Sequence, residues 1–276
     1  MSNSDPFSVK DVPSALMRQT LLDPELVKVV DRQPIRLLPW LSVVVIGGRS
    51  ICDRGGDVLL GLVDELRKAM REHRILVLTG SGIRGRHVLG VGLDLGLPTG
   101  VLATLAATEA EANGHMVAAL LAADGVSYVP HGTTAHQLAT HLAACPMTVS
   151  NGYPPFGLYE PPPPVGKLPR YGSDAGGLLL ADAYGAARLI YAKDTDGICP
   201  DDPDGVGNSA VPTAQLTTAQ AREQRTLPLE PVVLDLLDRA RHVRQVRVIN
   251  GLVPGNLTRV LAGESIGTLL AASSAD

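Results

Sequence analysis

The chain has 276 residues, 45% of them apolar, a formal net charge of -4 and only 3% aromatic residues. That length and apolar content are enough to bury a substantial core in one large domain, while the small net charge and the scarcity of stacking rings exclude a nucleic-acid binder or a protein drawn to an anionic membrane. Cys52, Cys145 and Cys199 are scattered without CxxC spacing, which argues against a disulfide framework or a structural zinc site and reads as buried free thiols.

The N-terminal MSNSDPFSVKDVPSAL lacks a basic segment followed by an apolar run, and no apolar run approaches the ~20 residues of a bilayer span, so a soluble cytoplasmic protein is expected. Residues 1–36 read as an arm with one short helix near Leu16–Val30, and residues 37–276 as the nucleotide-binding domain argued below. From Leu37 onward, short β-branched runs alternate with longer helical segments, the pattern of a mainly parallel sheet covered on both faces. The expected fold is therefore α/β, a three-layer αβα sandwich.

The first strand is predicted over Leu41–Ile46, ended by Gly47-Gly48 and followed by a helix over Leu59–Glu72; a second strand, Ile75–Leu78, ends in Thr79-Gly80-Ser81-Gly82. Arg84, Arg86 and His87 just beyond form a basic patch, read either as an exposed loop paired with nearby acids or as a site of phosphate or oxyanion capture. A buried helix over Val101–Ala123 precedes a strand at Val126–Val129, a helix over Thr134–Ala144 and a strand starting at Thr148-Val149. The Pro-dense run from Pro154 to Pro169 cannot join a sheet and is expected to pass over the surface or a cavity. Beyond it come a helix over Asp174–Tyr184, a strand over Leu189–Ala192, an Asp-, Pro- and Gly-rich loop from Asp194 to Asn208, a helix over Pro231–His242, and late strands at Val246–Ile249 and Gly267–Leu270.

Two strand-to-loop junctions, Gly47-Gly48 and Gly80-Ser81-Gly82, place small residues at carboxyl ends of strands, where open α/β sheets bind ligands. Without Cβ atoms the backbone approaches an anion closely and its N–H groups can cradle phosphate oxygens; alone, each turn is equally explained by a need for positive φ. Neither is a Walker loop, since no GKS or GKT follows. A third feature, Lys193-Asp194-Thr195-Asp196-Gly197-Ile198 with Asp202-Pro203 beyond, offers carboxylates for ribose hydroxyls and a cation for phosphate; by itself it reads as an Asx-type turn.

Gly47-Gly48, Gly80-Ser81-Gly82, Asp174, Asp196-Gly197-Ile198 and Gly263-Glu-Ser-Ile-Gly-Thr268 occur in an order that resembles the amino-acid-kinase superfamily from Leu37 to Leu270. Arg36-Leu-Leu-Pro-Trp40, Arg84-Gly-Arg-His87, Leu93-Asp-Leu-Gly-Leu-Pro98, Tyr153-Pro-Pro-Phe156, Asp174–Asp182 and Val248–Arg259 resemble in particular the family of molybdenum storage subunits, related in fold to uridylate kinase. The resemblance implies a homo- or hetero-hexameric cage that binds ATP with Mg2+ and accumulates molybdate or tungstate as polyoxometalate clusters. Nucleotide would be held by Gly47, Gly48, Gly80, Ser81, Gly82, Asp174, Lys193, Asp194, Asp196, Gly197 and Asp202, and metal-oxide cargo by His131, His136 and His141. A uridylate-type kinase, or a nucleotide-binding, non-catalytic partner in a mixed cage, are the alternative readings.

The chain departs from that pattern in two places. Val45 stands where such kinases carry a Lys, which removes a preorganised charge from the transferring phosphoryl group and argues against transfer. Gly157-Leu-Tyr159 replaces the His-rich run of one storage subunit type, and Pro130 replaces its Glu.

Overall fold

The computed structural model of the protein describes residues 34–199 and 211–273. Its strands are β1 (Leu41–Ile46), β2 (Arg74–Thr79), β3 (Ser127–Tyr128), β4 (Met147–Asn151), β5 (Arg188–Lys193), β6 (Gln215–Thr217), β7 (Gln245–Asn250) and β8 (Thr268–Ala271). Its helices are α1 (Gly56–Ala69), α2 (Gly82–Asp94), α3 (Thr99–Leu120), α4 (Thr134–Ala144), α5 (Ser173–Tyr184), α6 (Thr218–Arg222), α7 (Val232–Arg239) and α8 (Asn256–Leu261). The strands form one sheet in the order β3-β4-β2-β1-β5-β7-β8-β6. All neighbours are parallel except β7 and β8.

Every side chain of β1 is buried, and its Leu-Ser-Val-Val-Val-Ile sequence shows why it takes the centre: an apolar, β-branched run suits a strand covered on both faces. Val43 and Val45 join a core with Leu178 and Ala181 of α5, Leu138 of α4 and Val233 and Leu237 of α7. Val44 and Ile46 face the other way, among Leu62 and Leu66 of α1, Val117 of α3 and Leu257 of α8. The result is the expected three-layer αβα sandwich around a mainly parallel sheet.

Several segments depart from the sequence reading. Arg84, Arg86 and His87 lie in the first turns of α2, not in a loop. Three glycines, Gly85, Gly90 and Gly92, weaken helix propensity there. The helix forms because Gly85 packs on Ser81 and Gly92 leaves room for Leu102 of α3, contacts that a Cβ at either position would block. The short elements β6, α6 and α8 were not anticipated; α6 is set by a capping box between Thr217 and Gln220. The three cysteines are free but half-buried. Residues 1–33, with the helix expected in the N-terminal arm, lie outside the described residues, as do most of the Asp194–Asn208 loop and Asp202. Among the described residues, no helix is long and apolar enough to cross a membrane.

The Pro-dense segment stays out of the sheet. The buried carboxylate of Glu160 accepts the backbone N–H groups of Arg170 at 2.8 Å and Tyr171 at 3.2 Å, which fixes the far end of the loop beside the carboxyl ends of the strands.

Candidate functional site

β1 lies between β2 and β5, so the chain leaves it toward one side of the sheet and returns to the other. That reversal opens a crevice beyond the strand carboxyl ends. A cleft of about 620 Å³ lies there. Its walls come from the residues directly after β1, β2, β4 and β5, together with Leu168-Pro169-Arg170 at the end of the Pro-dense segment and Thr226–Glu230.

The two glycine turns meet in this cleft. A Cβ at Gly48 would overlap the Gly82 amide, and one at Gly80 would sit 2.9 Å from the Gly48 nitrogen, so their backbones are in direct contact. The Gly80 N–H donates to Ile46 O at 3.0 Å, and its carbonyl accepts from the buried Asn113 Nδ2 at 2.7 Å. Ser81 Oγ and Tyr153 OH are 2.9 Å apart. Burial pushes the Tyr153 phenol up to about 12, which keeps its proton available for donation. The Gly48 backbone thus meets the Ser81 and Tyr153 hydroxyls at one side of the cleft, the chemistry of an anion cradle.

Opposite the cradle, Lys193 at the end of β5 donates from Nζ to both Asp174 oxygens, at 2.7 and 2.8 Å, and both residues are buried. Asp174 stands in the first turn of α5. Beside it lies Glu230, whose carboxylate accepts the N–H groups of Gly172, Asp174 and Ala175 at 2.9, 3.1 and 3.1 Å. The Glu230 N–H returns a bond to Asp174 Oδ2 at 3.2 Å. Burial, and then the Asp174 charge, push the Glu230 carboxyl up to about 7. One buried cation therefore faces two carboxyl groups, and further positive charge at the cleft comes from the exposed Arg49 and Arg86.

Of the sequence candidates, Gly47, Gly48, Gly80, Ser81, Gly82, Asp174, Lys193, Asp194 and Gly197 all line the cleft. Asp194 is held by Arg54 at 2.6 Å. Asp196 is not among the lining residues and accepts a hydrogen bond from Asn250 Nδ2 at 2.8 Å. His136 is exposed on α4, and His141 is half-buried with Nδ1 2.9 Å from Ser127 Oγ. Five positions apart on a helix, they point ~140° away from each other; His131 begins a 3₁₀ turn just before α4. Neither His136 nor His141 lines the cleft, and no group of three or more His, Cys, Asp or Glu suited to a metal ion occurs among the described residues.

Sequence reasoning missed Glu230, Tyr153, Arg49 and Asp53. Glu230 carried one signal, an isolated acid between Pro228 and Pro231 in an otherwise apolar stretch. Asp53 carried none; it sits on a 3₁₀ turn after the first glycine pair and accepts the Ile83 N–H at 2.6 Å.

Residues 40–250 match the amino acid kinase family. The molybdenum storage protein subunit beta of Azotobacter vinelandii is 40% identical over 268 residues, which is 96% of this chain and 99% of that protein. The crystal structure of uridylate kinase from Archaeoglobus fulgidus superposes with a TM-score of 0.64 at 20% identity, over 83% of this chain and 99% of that chain. An isopentenyl phosphate kinase superposes with a TM-score of 0.60 at 18% identity, over 83% of this chain and 99% of that one. At such identities the likeness to these solved structures is one of fold alone.

Proposed function

The chain belongs to the amino acid kinase family, in the branch of the molybdenum storage subunits, and from that premise we propose that it is a cytoplasmic storage subunit. In this reading it binds ATP in the cleft and helps hold molybdate or tungstate as polyoxometalate clusters inside an oligomeric shell. The observation that carries the reading is 40% identity along essentially the whole of both chains to a molybdenum storage subunit.

The residues present fit a nucleotide. The glycine-cleared backbone at Gly48, the Ser81 hydroxyl and the cations Arg49, Arg86 and Lys193 would receive the phosphates. The nearest carboxylates are already engaged, Asp174 by Lys193 and Asp194 by Arg54. Magnesium would then ride mainly on the phosphates and its own waters, as that ion commonly does.

Transfer of the phosphoryl group is not part of the proposal. Val45 is fully buried and packs toward Gly177 of α5, so position 45 supplies no cation to the cradle. A uridylate-type kinase is therefore disfavoured, and a coupled assay with ATP and UMP should give no turnover near the ~1 s⁻¹ ordinary for an enzyme.

The test is metal analysis of protein purified from molybdate-supplied cells, alongside calorimetry with ATP. Many molybdenum atoms per assembly and saturable ATP binding are expected. An intact oligomer that carries no molybdenum would overturn the storage role. If the chain expressed alone forms only monomers yet binds ATP, it is the partner of a second, related subunit in a mixed shell.

A further inference from the structure

We propose that Asp53 is a specificity-determining residue: its carboxylate occupies the N-terminus of the helix after the second glycine turn, so the site takes one polyphosphate at the first turn and rejects a phosphate monoester at the second. This rests on reading the cleft as a nucleotide site.

The first N–H groups of a helix have no partner within it, and they form its positive end. A helix that starts at a glycine turn in a cleft is therefore a natural phosphate seat. α2 starts in that way, directly after Gly80-Ser81, with Gly82 at φ +70°. Yet its Ile83 N–H already donates to Asp53 Oδ2 at 2.6 Å. The space a Gly82 Cβ would need is taken by the Asp53 carboxylate itself, so this glycine makes room for an internal anion. Asp53 is held in place by its own N–H, which donates to Gly48 O at 2.9 Å.

α5 repeats the device. Its Asp174 and Ala175 N–H groups, with that of Gly172 just before the helix, point at Glu230, and a Cβ on Gly172 would overlap that carboxylate. At both helix starts beside the cleft, backbone N–H groups are thus engaged by a carboxyl group from elsewhere in the chain. Uridylate and isopentenyl phosphate, named for the two fold neighbours, are phosphate monoesters with up to two negative charges. Such a group brought to the second glycine turn would meet the fixed charge of Asp53.

Calorimetric titration with UMP and with inorganic phosphate, without ATP, tests this on the full chain and on Asp53→Asn and Asp53→Ala. Asn keeps an acceptor for the Ile83 N–H while it removes the charge; Ala frees the N–H as well. The unsubstituted chain should show no saturable binding of UMP. Asp53→Ala should bind it at least about tenfold more tightly, with Asp53→Asn between, as removal of one adjacent like charge implies. Thermal melts establish that both variants are folded; should Asp53→Ala unfold, the gain in Asp53→Asn decides. UMP binding by the unsubstituted chain, or no gain in a folded variant, overturns the proposal. Failure of ATP to bind would instead sink the nucleotide reading, an outcome that the ATP-free titrations leave separate.

Discussion

Lys193 is held by one carboxylate while a second carboxyl group lies close by, and this arrangement decides how the site tolerates change. Its Nζ spans both oxygens of Asp174 in a buried setting, so Lys193→Met would leave Asp174 charged, desolvated and unpaired. Breaking a buried pair from one side costs ~3–5 kcal/mol. Lys193→Met should therefore lower the unfolding free energy by about that amount in urea titrations. The double variant with Asp174→Asn should lose less than the sum of the two single changes. Glu230 sets a pH dependence of defined sign. Its carboxyl is raised from 4.5 to about 7 by burial and by the Asp174 charge. Between those values the folded chain binds this proton more tightly than the unfolded chain does. The contribution of Glu230 to stability must then fall as pH rises from 4.5 to 7 and stay flat above. The difference in urea midpoint between the unsubstituted chain and Glu230→Gln, followed across that range, should show this slope; a difference that does not change with pH would contradict it.

At the scale of elements, the contact between β1 and α5 positions the cleft. Gly177 in α5 faces Val45, and a Cβ there would stand 2.5 Å from Val45 Cγ2. Gly-to-Ala in a helix interior ordinarily gains about 1 kcal/mol from propensity, but overpacking a rigid β-branched neighbour costs ~1–3 kcal/mol. Gly177→Ala should consequently destabilise, and Val45→Ala made with it should recover part of the loss, as read from thermal midpoints. The same contact explains what could be read in advance. β1, β2, β5 and α5 were legible because their apolar periods match the two buried faces of the sheet. α2 was illegible because its glycines serve close packing against Ser81 and Leu102, which no local pattern encodes. Both glycine turns could be placed at strand ends from sequence, and so could Asp174 and Lys193. The pairing of Glu230 with α5, 56 residues earlier than Glu230 itself at Asp174, arises only when the helix layer assembles.

Across the whole molecule, the sheet is stiff at its centre and short at its rims. β1 has strands on both sides and no exposed residue, whereas the edges end in β3 with 2 residues and β6 with 3. Amide exchange should accordingly be slowest in β1, β2 and β5, and fastest at the edges, since opening at a rim needs little buried surface to be exposed. The binding segments lie at the carboxyl end of that rigid centre, on turns whose amides are not all consumed by the ladder. A nucleotide that binds only the folded chain should raise protection chiefly there. Exchange mass spectrometry with saturating ATP should slow residues 47–50 and 193–197 and leave β3 and β6 as they were. Because α2 and α5 are already capped by Asp53 and Glu230, added protection should be small at Ile83 and at Asp174–Ala175. A large gain at those helix starts, with none at Gly47–Ser50, would mean that the phosphates displace the internal carboxylates and that the assignment of the cradle is wrong.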